Sequence, residues 1–270
     1  MRPSKPGGFL MFPLLFLAAG CGLSDYEKHV DETSVALKRF DEENKALGDP
    51  LELPMIMDKK TGSRSALPVD FYLRPQKGTK PQPAGGPFQP QDFALFRYPG
   101  PAGFNVLVAA SKVAKDVKDA KAKDPKVKKV GMTTKEFQQK VRQALAEFYA
   151  KEFKKPSPLS LAEKTDRIEV TVFSAKGPPT KRVFENQILT DDPDPVKNKP
   201  AGPDKSRDDY HDFRLFFYQT GFDQAAIIYQ IPAARRAEND VNLAVDYSIR
   251  TLTLGLDSLN KRVEFRKRQR

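Results

Sequence analysis

The side chains able to do acid–base, nucleophilic or metal chemistry are few. The 270 residues hold one Cys and two His. The imidazoles are His29 and His211, and the thiol is Cys21. One Cys forms no intramolecular disulfide, and no Cys/His set is present for a structural zinc site. His211 stands in Asp208-Asp209-Tyr210-His211-Asp212. A carboxylate beside an imidazole is the arrangement of a general base or a metal ligand. On a strand, however, successive side chains point to opposite faces, so most of that run diverges. Asp191, Asp192 and Asp194, followed by Asp204, Asp208 and Asp209, make an acidic stretch without the spacing of an EF-hand loop. No G-x-S-x-G, P-loop or G-x-G-x-x-G occurs. No catalytic residue, metal ligand or cofactor is therefore assigned. The alternative kept open is an envelope hydrolase or metal-dependent enzyme using His211 and nearby Asp residues.

Cys21 suggests a different chemistry. Residues 1–20 carry Arg2 and Lys5 and no acid, and an apolar run of eleven residues extends from Phe9 to Ala19. As a helix the run spans about 16 Å, half of the ~30 Å of a bilayer core. That is the length of a signal-peptide core rather than of a spanning helix. Leu17-Ala18-Ala19-Gly20-Cys21 then places small residues directly before the single Cys. This resembles the lipobox of bacterial lipoprotein precursors, with Ala18 at the third position before the Cys and Leu17 one further back. The resemblance implies cleavage between Gly20 and Cys21, a diacylglycerol thioether on Cys21, and acylation of the new amine. Two acyl chains hold stably where one holds marginally. Gly22, in place of Asp, points toward an outer membrane in the better-known sorting systems; the expected location is the exported side of the cell membrane or outer membrane.

The net charge is +11, and removal of Arg2 and Lys5 with the signal leaves +9. The excess is concentrated twice. Lys112 to Lys129 contains eight Lys and three Asp. The C-terminal residues 257–270 carry Lys261, Arg262, Arg266, Lys267, Arg268 and Arg270. Such clusters suit polyanions. The tail has Phe265 alone as an aromatic, which is poor for stacking nucleic-acid bases, so an anionic lipid or an envelope protein is the expected partner and no nucleic acid.

The elements that would carry these groups read as follows. Ser24-Asp25-Tyr26-Glu27 forms a capping box. Tyr26, Val30, Thr33, Leu37, Phe40, Asn44 and Leu47 recur on one helical stripe, stopped by Gly48-Asp49-Pro50. This predicts a lipid-anchored helix over 21–48, with self-association through residues 24–47 as one use of its stripe. Residues 49–92 predict a Pro-rich spacer, since ten of the 23 prolines lie between Pro50 and Pro101; one strand, Val69 to Leu73, interrupts it. The folded domain is expected over 93–256. Strands at 93–98 and 104–110 precede a capped helix at 134–153. Strands near 168–172, 183–189, 212–219 and 225–231 follow, then a helix near 238–255. Two helices against a mainly antiparallel sheet make the fold class α+β. Ala226-Ile227-Ile228-Tyr229-Gln230-Ile231-Pro232, followed by a helix through Ile249-Arg250-Thr251-Leu252, resembles the end of PsbP-like domains over 93–256. The resemblance implies an α/β/α sandwich with a binding or assembly role and transfers no catalytic residue. The functional expectation is a membrane-anchored, non-enzymatic envelope lipoprotein.

Overall fold

The computed structural model describes residues 20–58, 62–85, 94–118, 127–153, 160–161, 166–174, 177–191 and 210–269. The chain divides into two compact units, Met1–Asn44 and Lys45–Arg270. α1 (Gly20–Ala46), a helix of 27 residues about 40 Å long, belongs to the first except for its last two residues. It starts before the Ser24 expected to cap it. Tyr26, Val30, Leu37 and Phe40 of the predicted stripe are solvent-exposed.

The second unit begins earlier than the expected 93–256 domain. The segment predicted as a spacer contains a short hairpin, β1 (Met55–Asp58) with β2 (Gly62–Ser65), and a two-residue strand, β3 (Phe71–Tyr72). Leu51, Leu67, Val69, Phe71 and Leu73 are buried in the main core. Proline removes donors from a ladder but does not stop intervening apolar side chains from packing. The remaining backbone groups find irregular partners. Leu51 N donates to Leu73 O at 2.9 Å, Glu52 N to Pro81 O at 2.7 Å, and Ala84 N to Arg97 O at 2.8 Å. The segment therefore contributes to the core rather than serving only as a spacer; residues 59–61 and 86–92 lie outside the described residues.

Six strands of the main sheet form where the alternating runs predict them, and strands at 115–118, 127–130 and 160–161 are additional. β4 (Phe96–Pro99) and β5 (Asn105–Lys112) make one hairpin, and β6 (Lys115–Lys118) with β7 (Val127–Val130) a separate small one. After α2 (Thr134–Phe153) come β8 (Ser160–Leu161), β9 (Asp166–Ser174), β10 (Gly177–Thr190), β11 (His211–Thr220) and β12 (Asp223–Pro232). Seven strands pair antiparallel in the order β4-β5-β12-β11-β10-β8, with β9 also on β10. β11 and β12 pair in register from His211↔Pro232 to Thr220↔Asp223. Their turn needs only Gly221 and Phe222, with Gly221 at φ +55, the left-handed value that a two-residue hairpin demands.

β12 is the central strand and is buried on both faces. Ala225, Ile227, Tyr229 and Ile231 join the core that α3 (Asn239–Thr251) covers; Ala226 and Ile228 join the core under α2. From α3 that first core takes Val241, Val245 and Ile249. From α2 the second takes Phe137, Val141, Leu145 and Phe148, the stripe expected from the sequence. The α2 cap is reciprocal: Thr133 N donates to Glu136 Oε2 at 2.8 Å, and Glu136 N to Thr133 Oγ1 at 3.3 Å. The unit is α+β, with helices on both faces of the sheet.

The C-terminal end differs from expectation. The helix predicted to 255 stops at Thr251; β13 (Thr253–Leu254) pairs with β3, and α4 (Leu256–Arg268) follows. Leu252, at φ −57 and ψ 124, ends α3, and Gly255, at φ +64 and ψ −140, precedes α4. The hydrophobic period runs through this break, so Leu256 matches the α3 stripe in sequence but stands exposed on the next helix.

Candidate functional site

Gly20 and Cys21, the expected cleavage and lipidation residues, are the first two positions of α1. Residues 17–19 and the Cys21 side chain lie outside the described part of the structure.

His211 opens β11 and is 8% exposed. Its ring lies 4.4 Å from the Phe153 ring at the end of α2 and 6.4 Å from Phe213. Its backbone N–H, 2.6 Å from Asp191 Oδ1, donates to that carboxylate. The other Asp191 oxygen accepts from the Tyr149 hydroxyl. Burial, then the Asp191 hydrogen bond and charge, push the Tyr149 phenol well above its ordinary value. The cluster thus ties the last turns of α2 to the start of β11. Asp212 faces the other way, as strand alternation requires, and is held by Arg236 through Nε at 2.5 Å and Nη2 at 2.7 Å. Asp192, Asp194, Asp204, Asp208 and Asp209 lie outside the described residues. Among the described residues no three His, Cys, Asp or Glu side chains come together as a metal site.

A cleft that sequence reading misses opens beside the first turns of α2, over β10, β11 and β12. Its volume is about 220 Å³, and Thr134, Phe137, Gln138, Glu185, Tyr218 and Gln224 line it. These residues are far apart in the chain, and no spacing announces them. Most of its polar groups are paired, while Gln224 Oε1 is buried without a partner among the described residues. Gln138 Nε2 donates to Glu185, Thr134 Oγ1 to Gln219 Oε1 at 2.9 Å, and Gln224 Nε2 to Met132 O at 3.0 Å. The cleft has the character of a braced polar seam between helix and sheet.

The basic tail is largely helix α4, and its cations divide. Arg266, Lys267 and Arg268 are exposed, Lys261 is half-buried, and Arg270 is outside the described residues. Arg262 turns inward. Its Nη2 donates to Leu51 O at 2.9 Å and Phe71 O at 2.5 Å. Burial holds its pKa below the usual arginine value. Arg262 is therefore a brace for the Pro-rich segment and is removed from the polyanion-binding set. In the other cluster, Lys112 pairs with Asp223 at 2.5 Å, and residues 119–126 lie outside the described part.

Among the described residues no helix is long and apolar enough to cross a membrane. No protein-family model matches the chain, nor does any curated protein or solved structure.

Proposed function

We propose that the protein is a lipid-anchored component of a bacterial cell envelope, held on the exported side of the cell membrane or outer membrane, and that it works by binding rather than catalysis. The observation that carries this is the placement of the chain's single Cys at position 21, directly after Leu17-Ala18-Ala19-Gly20 and an apolar run too short to span a bilayer. Two features support it. The imidazole of the folded unit, His211, packs against the Phe153 ring; Asp191 holds a backbone N–H and a phenol, and Asp212 an arginine. The exposed cations of α4 offer a surface to anionic partners.

Metabolic labelling with a traceable fatty acid tests the anchor. Label is expected on the wild-type protein and is lost in Cys21→Ser. Equal labelling of the two proteins would refute lipid attachment at Cys21.

A further inference from the structure

α4 carries one of the chain's two basic clusters, yet the side it turns to solvent is not uniformly charged. Leu256, Leu259 and Val263 are 80%, 42% and 53% exposed. At ~100° per residue these three fall within an arc of about 60°. Arg266 and Lys267, both exposed, lie about 20° beyond either edge of that arc. The inward side is a different set: Ser258 is buried, Phe265 half-buried, and Arg262 is bound to the Leu51 and Phe71 carbonyls. The acids of the helix, Asp257 and Glu264, sit on the flank between these two sides, roughly 80–100° from Leu256. A row of apolar side chains bordered by cations is the pattern of a helix lying in a membrane interface, its apolar side among acyl chains and its cations at the headgroups.

The surface continues past the helix. Phe222, at the tip of the β11–β12 hairpin, is 60% exposed. The hairpin adjoins the start of α4, because the Asp223 carboxylate lies 2.6 Å from where a Cβ on Gly255 would stand. That carboxylate is paired with Lys112, so it does not present an unneutralised charge beside the patch.

We propose that the outer side of α4, with the Phe222 tip, docks on an anionic lipid surface. This gives the folded unit a membrane contact of its own. It rests on the envelope reading for the presence of a bilayer, but its chemistry is independent of Cys21. A nucleic-acid or polysaccharide partner would use the cations and leave Leu256, Leu259 and Val263 in water. A bilayer uses both.

The test reads residue 259 directly. The full chain is prepared as Cys21→Ser with Leu259→Cys, so that an environment-sensitive fluorophore attaches at one thiol and no acylation at residue 21 contributes. On vesicles rich in phosphatidylglycerol, the emission shifts to the blue and is quenched by lipids brominated on their chains. On phosphatidylcholine alone neither occurs at the same lipid concentration. Adding Arg266→Ser and Lys267→Ser weakens the apparent affinity about thirtyfold, at ~1 kcal/mol for each cation near an anionic surface. Attachment through the apolar run at residues 9–19 would bring the chain to the vesicle without moving that label out of water. A label that stays water-exposed on the anionic vesicles overturns the proposal, and so does an affinity unchanged by the two Ser substitutions. Far-UV circular dichroism of each variant confirms that the fold is kept. Acylation of Cys21 is read separately, so failure of either idea is visible without the other.

Discussion

Replacing Arg262 by Met separates a structural cation from a binding one. The substitution keeps an apolar stem and removes the guanidinium. The two carbonyls it serves, Leu51 O at 2.9 Å and Phe71 O at 2.5 Å, lose a charged donor. A hydrogen bond to a charged group contributes roughly 1.5–3 kcal/mol net. Because Arg262 is half-buried, the lower end applies to each, giving a loss of about 3 kcal/mol. For a unit of this size each kcal/mol moves the midpoint by about 2–4 °C. Thermal unfolding followed by circular dichroism should therefore show a fall of roughly 6–12 °C for Arg262→Met. Arg266→Met and Lys267→Met, which remove exposed cations, should stay within about 0.5 kcal/mol of wild type. An Arg262→Met protein that melts with the wild type would refute the docking of α4 on the Pro-rich segment, and with it the removal of Arg262 from the binding surface.

Gly255→Ala should destabilise by about 2–4 kcal/mol, combining backbone strain at φ +64 with the 2.6 Å approach of Asp223 Oδ2. Adding Asp223→Ala should recover only the contact part of that loss in the same melting assay; full recovery would show that the glycine conformation is not required. Burial raises the phenols of Tyr98, Tyr149 and Tyr229 above the ordinary 10.0, so the neutral forms belong to the fold. Their contribution is complete below pH 10 and is lost as pH rises toward the folded values. In an alkaline titration, phenolate absorbance from these three should appear only together with loss of the circular-dichroism signal; free titration of all eight tyrosines near pH 10 with the signal intact would contradict their burial.

What the sequence reveals depends on whether local and tertiary preferences agree. At α2 they agree. Thr133 and Glu136 cap each other, and the residues at helical spacing are the ones that pack, so bounds of 134–153 follow from the letters alone. The β11–β12 hairpin is equally legible because Gly221 supplies the one backbone state its turn needs. At residues 49–85 they conflict. Proline content reports the lack of ladder donors, whereas the burial of Leu51, Val69 and Phe71 depends on a surface built by residues far away in sequence. The break at residues 252–255 is hidden for a related reason. Leu252 and Leu256 keep helical spacing, so periodicity alone runs across the extended Leu252, where α3 ends, and the Gly255 that starts α4. The candidate sites follow the same rule. Divergence of Asp212 from His211 was legible as strand alternation, while the cleft at Gln138 and Glu185 needs the sheet to exist first.

The basic tail shows what this means for function. Composition counts its cations as one cluster, and a disordered cluster would bind any polyanion through whichever charges it could bring to bear. Helical geometry partitions them instead. At a 3.6-residue period Arg262 falls inward, where burial and two carbonyls consume its donors, while Arg266 and Lys267 fall on either side of Leu256, Leu259 and Val263. Because Arg262 fastens the helix to Leu51 and Phe71, the outward residues are presented in a fixed order. A lipid surface would then meet an arrangement already formed, without the entropy loss of ordering a free tail on contact. The inward arginine and the outward pair thus act on one property, and the two experiments on them are linked. If Arg262→Met loosens α4, lipid insertion at residue 259 should weaken as well, even though both flanking cations remain.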